Sequence, residues 1–171
     1  MKIIIPKNWH LAINQFTRPM FNGEGYIEKN ITFTDTCRYN IGDKQSSWNK
    51  LYGQSWGFFP LLTQFQQHFN SSRFGWRYNS LTDKIEITPY WYENSIRHYA
   101  ETDNLEIASL EIGKEYNFSI TAFKSVVIYK IKGVNKWFIN QEVPSLKGWI
   151  APLYFGGDKK APHDIEILMD K

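Results

Sequence analysis

A chain of 171 residues has the size of one domain, spanning 1–171, and is long enough to bury a sandwich-sized core; no second domain is expected. Its net charge of +3 is spread along the chain without a basic block, which excludes the long-range field that duplex nucleic acid binding draws on. Aromatic residues make up 17% of the chain, more than an average core takes up, which favours strands and leaves some rings for a surface.

The first element is a short strand over Lys2 to Ile5, stopped by Pro6. The apolar run there is far shorter than a signal-peptide core, and no later stretch approaches a membrane span, so a soluble cytoplasmic protein without a membrane partner is expected. Pro19, Gly23 and Gly25 mark a loop, and Tyr26 to Cys37 contains the β-prone run I-T-F-T. Cys37 is the single cysteine; it can form no internal disulfide, a Cys-cluster metal site is excluded, and it reads as a buried apolar thiol. The stretch from Trp56 to Leu62 is strongly apolar and either fills the core or docks a partner, including a second copy in a homo-oligomer. Leu61, Leu62, Phe65 and Phe69 recur at helical spacing after Pro60, which predicts a short helix over 61–69 or a loop wrapped over a sheet.

Strands are then predicted over 73–79, 84–92, 116–123, 125–132, 135–140, 149–155 and 164–169, with turns at Gly113 and at Gly156-Gly157-Asp158. Many short strands with almost no helix predict an all-β fold: two antiparallel sheets packed as a jelly-roll β-sandwich, with at most one or two short helices. Such a fold leaves a concave sheet surface free for ligands.

The pair of strands around residue 80 carries the candidate site. In 73–79, Phe74, Trp76 and Tyr78 share one face and Arg73, Gly75 and Arg77 the other; in 84–92, Glu86, Thr88, Tyr90 and Tyr92 alternate with Ile85, Ile87, Pro89 and Trp91. Paired as a hairpin, the two strands place Arg73, Arg77, Glu86, Tyr90 and Tyr92 on one surface. Sugar recognition uses that mixture, because a ring stacks on the apolar face of a sugar while planar side chains bond its hydroxyls. The expected role is non-catalytic binding of a small polar ligand, a glycan first, with Arg77→Ala removing the ligand and leaving stability nearly unchanged. The alternative is a cytoplasmic phage or host interaction protein that binds or sequesters a nucleotide, with arginine on phosphate and a ring on the base, although no Walker-type loop is present.

No cofactor and no metal site is expected. His10, His68, His98 and His163 lack the spacing that puts two imidazoles on one metal, and Asp158 alone is too few oxygens for calcium. His163 and Asp164 read as ties between a turn and a neighbouring strand. His68 or His98 could act as a base beside Tyr90 or Tyr92 in a polysaccharide lyase or glycoside hydrolase.

At R-F-G-W-R-Y-N, D-K-I-E-I-T-P-Y-W-Y and F-G-G-D-K-K-A-P-H-D-I, the chain resembles a set of small bacterial and phage proteins similar to concanavalin-A-like jelly rolls, the fold of lectins and glucanases. The resemblance runs from about Leu51 to the carboxyl end. It implies the fold and a general association with carbohydrate recognition, and it brings no catalytic residues. No E-x-D-x-x-E run of the kind that retaining glucanases of this fold carry lies within any of the predicted strands. Arg73 to Arg77 matches the arginine spacing of the alginate-lyase strand R-[ST]-E-L-R without its glutamate, and no Q-[IV]-H strand follows.

Overall fold

The computed structural model describes residues 1–13, 19–20, 25–57, 68–144 and 148–170. Thirteen strands among them form two antiparallel sheets packed as a jelly-roll β-sandwich. One sheet has six strands: β1 (Lys2–Ile5), β3 (Gly25–Phe33), β9 (Glu115–Phe123), β10 (Val126–Ile131), β11 (Asn135–Asn140) and β13 (Ile165–Met169), in the order β1-β13-β3-β9-β10-β11. The other has β2 (Pro19–Met20), β4 (Asn49–Trp56), β5 (Ser71–Asn79), β6 (Lys84–Glu93), β7 (Ile96–His98), β8 (Ala108–Glu111) and β12 (Gly148–Ala151). Its order is β2-β12-β4-β5-β6-β7, and β8 shares the outer edge of β6 with β7. Among the described residues the helical elements are α1 (Ala100–Asp103) and two single 3-10 turns, and no helix is long and apolar enough to cross a membrane. The predicted helix over 61–69 lies outside the described residues except for His68 and Phe69, as does most of the apolar stretch 56–62.

Alternation dictates what fills the space between the sheets. Ile27, Ile31, Phe33, Phe118, Ile120, Val127 and Tyr129 point inward from one sheet, and Phe74, Trp76, Ile85 and Ile87 from the other. Rings interlock across the gap, with Phe74 edge-on to Phe118 at 5.1 Å and Phe33 tilted against Trp76 at 5.4 Å. The Tyr52 hydroxyl donates to the Phe118 carbonyl at 2.9 Å and so ties β4 to the opposite sheet without leaving a buried phenol unpaired. Cys37 is fully buried; burial pushes its thiol well up, and it donates weakly to the Glu166 carbonyl. His163 bonds the Thr36 carbonyl at 2.8 Å and Asp164 accepts from the Lys7 amide at 2.7 Å, each tying the last turn to a neighbour.

Two strand segments depart from simple alternation in ways that shape the site. The β6–β7 connection is a two-residue turn with positive φ at both Asn94 and Ser95, the geometry that matches strand twist. In β4 a bulge sets Leu51 and Tyr52 together against Phe74 of β5, so both enter the core while Lys50 and Gly53 both face outward. No strand was predicted over 49–56, because the bulge and Gly53 break its period.

Candidate functional site

The β5–β6 hairpin pairs without a slip from Ser71↔Tyr92 to Asn79↔Lys84, which sets Arg73 opposite Tyr90 and Arg77 opposite Glu86 on the outer face of the seven-stranded sheet. These five side chains share that face, yet they do different things on it. Arg73 is 1% exposed, with its guanidinium turned into the bulge of β4: Nε and Nη2 donate to the Leu51 carbonyl at 3.1 and 3.0 Å, and Nη2 also reaches the Pro152 carbonyl. A bulge interrupts the ladder, and a fork of N–H donors is well suited to the carbonyl it leaves. Gly53 makes this possible, since a Cβ there would stand 2.2 Å from the Ser72 carbonyl and 2.7 Å from the Arg73 side chain.

Arg77 donates from Nε to Glu86 at 2.6 Å and from Nη1 to Glu101 at 2.7 Å and to the Ser46 carbonyl at 2.9 Å, and its guanidinium lies 4.1 Å from the Trp48 ring centre. Glu86 also accepts from Asn79 at 2.7 Å. The side chains of Arg77 and Glu86 are 15% and 14% exposed, so this ion pair is largely desolvated and costly to break from one side. Trp48 donates its indole N–H to the other oxygen of Glu101 at 2.7 Å, which fixes α1 over the sheet.

Trp48, Tyr90 and Ala100 form a small apolar cluster on this outer face, with Tyr92 and Tyr99 packed beside it. Gly75 leaves room for it: a Cβ there would crowd Tyr90 and Thr88 at 3.2 to 3.3 Å. Tyr90 stacks on Tyr99 with centres 5.9 Å apart and a 22° tilt, and the Arg97 guanidinium lies 5.0 Å over Tyr99. Burial pushes the pKa of the Tyr90 hydroxyl well up, with Tyr92 adding to the rise and Arg97 opposing it, so it stays a neutral phenol.

A pocket of about 460 Å³ opens above this arrangement, walled by Trp48, Tyr90 and Tyr99, with Lys50, Arg77, Arg97 and Glu101 at its edges and Gly157 and Asp158 at its rim. Arg77 and Tyr90 line it directly; Arg73, Glu86 and Tyr92 stand behind the residues that do. Trp48, Lys50, Arg97, Tyr99 and Glu101 went unnoticed in the sequence. The available signal was the alternation of Arg97 and Tyr99 just after the hairpin, and of Trp48 and Lys50 ahead of Gly53.

Lys50 is only 7% exposed, and its ammonium lies 5.0 Å from the centre of Tyr154, 5.4 Å from Tyr90 and 6.0 Å from Tyr92. Burial, with Arg73 and Arg97 nearby, lowers its pKa to about 7. His68 stacks on Tyr92 at 5.1 Å, and burial and the same cations hold its pKa below the usual imidazole value. His98 faces the other way, stacked on Trp91 at 4.8 Å and bonded to Asp103 at 2.9 Å. Among the described residues no three His, Cys, Asp or Glu side chains come together as a metal site would require.

No family model matches the chain, and no curated protein matches it. Solved structures do. SCLam, a non-specific endo-β-1,3(4)-glucanase of family GH16, superposes on 89% of this chain at 8% identity with a TM-score of 0.52. The chain spans 57% of that glucanase chain. A native glycosidic hydrolase superposes on 99% of this chain and 75% of its own, at 10% identity and a TM-score of 0.51. At such identities the likeness is one of fold.

Proposed function

We propose that the protein is a non-catalytic binding domain that takes a carbohydrate in the pocket over β4, β5, β6 and α1. The observation that carries this reading is the pocket itself: three aromatic side chains with charged and hydroxyl side chains around them on the outer sheet face. A sugar ring places its C–H face on an aromatic ring and its hydroxyls on planar donors and carboxylates. Tyr99 supplies the stacking ring, Arg97 and Arg77 the donors, and Glu101 the acceptor. Arg73, Glu86 and Tyr92 act by holding these groups in place. The two solved structures of this fold are named for glycan hydrolysis, which agrees with a saccharide ligand.

The one E-x-D-x-x-E run of the chain, Glu101 to Glu106, lies on α1 and the turn after it and not on a strand facing a groove as in retaining glucanases, and its Glu101 is paired with Arg77, which supports binding over hydrolysis. The test is titration calorimetry against a panel of oligosaccharides, with wild type, Tyr99→Ala and a control, Phe138→Ala, on the opposite sheet, where that ring is 64% exposed. Tyr99→Ala should weaken binding about tenfold or more, as loss of a stacked ring does, while Phe138→Ala should not. Equal affinity for wild type and Tyr99→Ala would place the ligand elsewhere.

A further inference from the structure

The charges around the pocket do not balance. Arg77 is met by Glu86 and Glu101, and Lys44 reaches Asp158 at 3.9 Å across the rim. Among the described residues neither Lys50 nor Arg97 has a carboxylate within ion-pairing distance. For Arg97, exposed to solvent, that is unremarkable in energy. Lys50 differs, because it is only 7% exposed, its backbone is paired with Gly75 of β5 on one side and with Tyr154 on the other, and its head lies among rings.

The titratable and charged groups that face Lys50 are Arg73 from β5, Tyr90 and Tyr92 from β6, Arg97 from β7, Tyr154 beside β4, and His68. None of them is a carboxylate; Glu101 and Asp158 also line the pocket, but Glu101 is paired with Arg77 and Asp158 lies at 3.9 Å from Lys44. Three ring faces attract an ammonium, yet they do not replace the hydrogen bonds that water gave its three N–H donors. A nearly buried cation in such surroundings is normally met by an anion. Among the described residues, Lys50 lines the pocket, and a ligand there can reach it.

We propose that the ligand carries an anionic group, a carboxylate, sulfate or phosphate borne on the sugar, which seats between Lys50 and Arg97 while the ring lies on Tyr99. This rests on the carbohydrate reading of the same pocket and narrows it to charged saccharides. An arriving anion favours the protonated amine, so binding draws a proton onto Lys50. Affinity for a charged ligand should therefore fall as pH rises above about 7, by at most about tenfold per pH unit. Neutral sugars should show no such fall.

The experiment is calorimetry with four probes: a hexuronate oligomer, a sulfated galactose oligomer, a neutral hexose oligomer of equal length, and a nucleoside triphosphate. It is run on wild type, Lys50→Met and Arg97→Gln, with a thermal melt of each. The expected result is binding of at least one charged oligomer about tenfold or more tighter than the neutral one, a margin that shrinks above about pH 7 and is lost in Lys50→Met. Equal affinity for charged and neutral oligomers overturns the anion site and leaves the carbohydrate reading standing. Binding of the nucleoside triphosphate alone, lost in Lys50→Met, supports the anion site and overturns the carbohydrate reading. If Lys50→Met fails to fold, the wild-type profile decides: affinity for charged oligomers that is flat from about pH 6 to about pH 9 overturns the proposal.

Discussion

The β5–β6 hairpin and the bulged β4 lie side by side in one sheet and treat their cations in opposite ways. Arg77, on the regular hairpin, is clamped by two carboxylates and a carbonyl and rests on Trp48. Lys50, beside the bulge, is more deeply buried, is surrounded by rings and arginines, and has no carboxylate among the described residues. One cation ties β5, β6 and α1 together; the other is the one we propose a ligand's anion meets. Among the described residues, the nearly buried lysine without a carboxylate partner thus sits where the ladder is irregular.

The comparison can be broken most severely at its seam. Gly53→Val should prevent folding or cost more than about 4 kcal/mol, since a Cβ at 2.2 Å from a backbone carbonyl cannot be relieved by a side-chain movement; chemical denaturation would measure it. Arg73→Met should cost about 2–4 kcal/mol by leaving the Leu51 carbonyl of the bulge without its donors. If that variant melts like wild type, the bulge does not depend on Arg73.

On the hairpin side, Arg77→Ala should cost about 1–3 kcal/mol, because it leaves Glu86 and Glu101 facing each other without their cation. This differs from the nearly unchanged stability expected of an outward-pointing arginine, and a melting curve with and without the Glu86→Gln change would show how much comes from the abandoned carboxylate. Lys50→Met should go the other way and stabilise the fold by about 1–3 kcal/mol at neutral pH and below. The sign follows from proton counting. Lys50 titrates at its ordinary 10.5 when unfolded and at about 7 when folded, so between these values the unfolded chain holds more protons and stability rises with pH. Lys50→Met should remove that rise. The smallest expected effect on stability is that of Tyr99→Ala, within about 1 kcal/mol, with its main consequence in ligand affinity.

The chain's own pattern of residues determined the sandwich and the hairpin. Strict alternation over 73–79 and 84–92 sends Phe74, Trp76, Ile85 and Ile87 to the core and Arg73, Arg77, Glu86 and Tyr90 to the other face, because a period of two admits one register against a buried side. Alternation says which face a side chain is on and nothing about what covers it there. Arg73 and Arg77 look alike in sequence, yet one serves the bulge of a neighbouring strand and the other an ion-pair cluster with α1.

Only the tertiary structure decided that Trp48 and Lys50 from β4, Arg97 from β7, and Tyr99 and Glu101 around α1 converge on one pocket. They arrive from separate parts of the chain, and β4 hides its outward residues because the bulge shifts their parity midway. The physical reason is the range of the forces. Side-chain period and turn chemistry act over a few residues and are written locally, whereas burial, ring packing and charge balance depend on which strands lie next to each other.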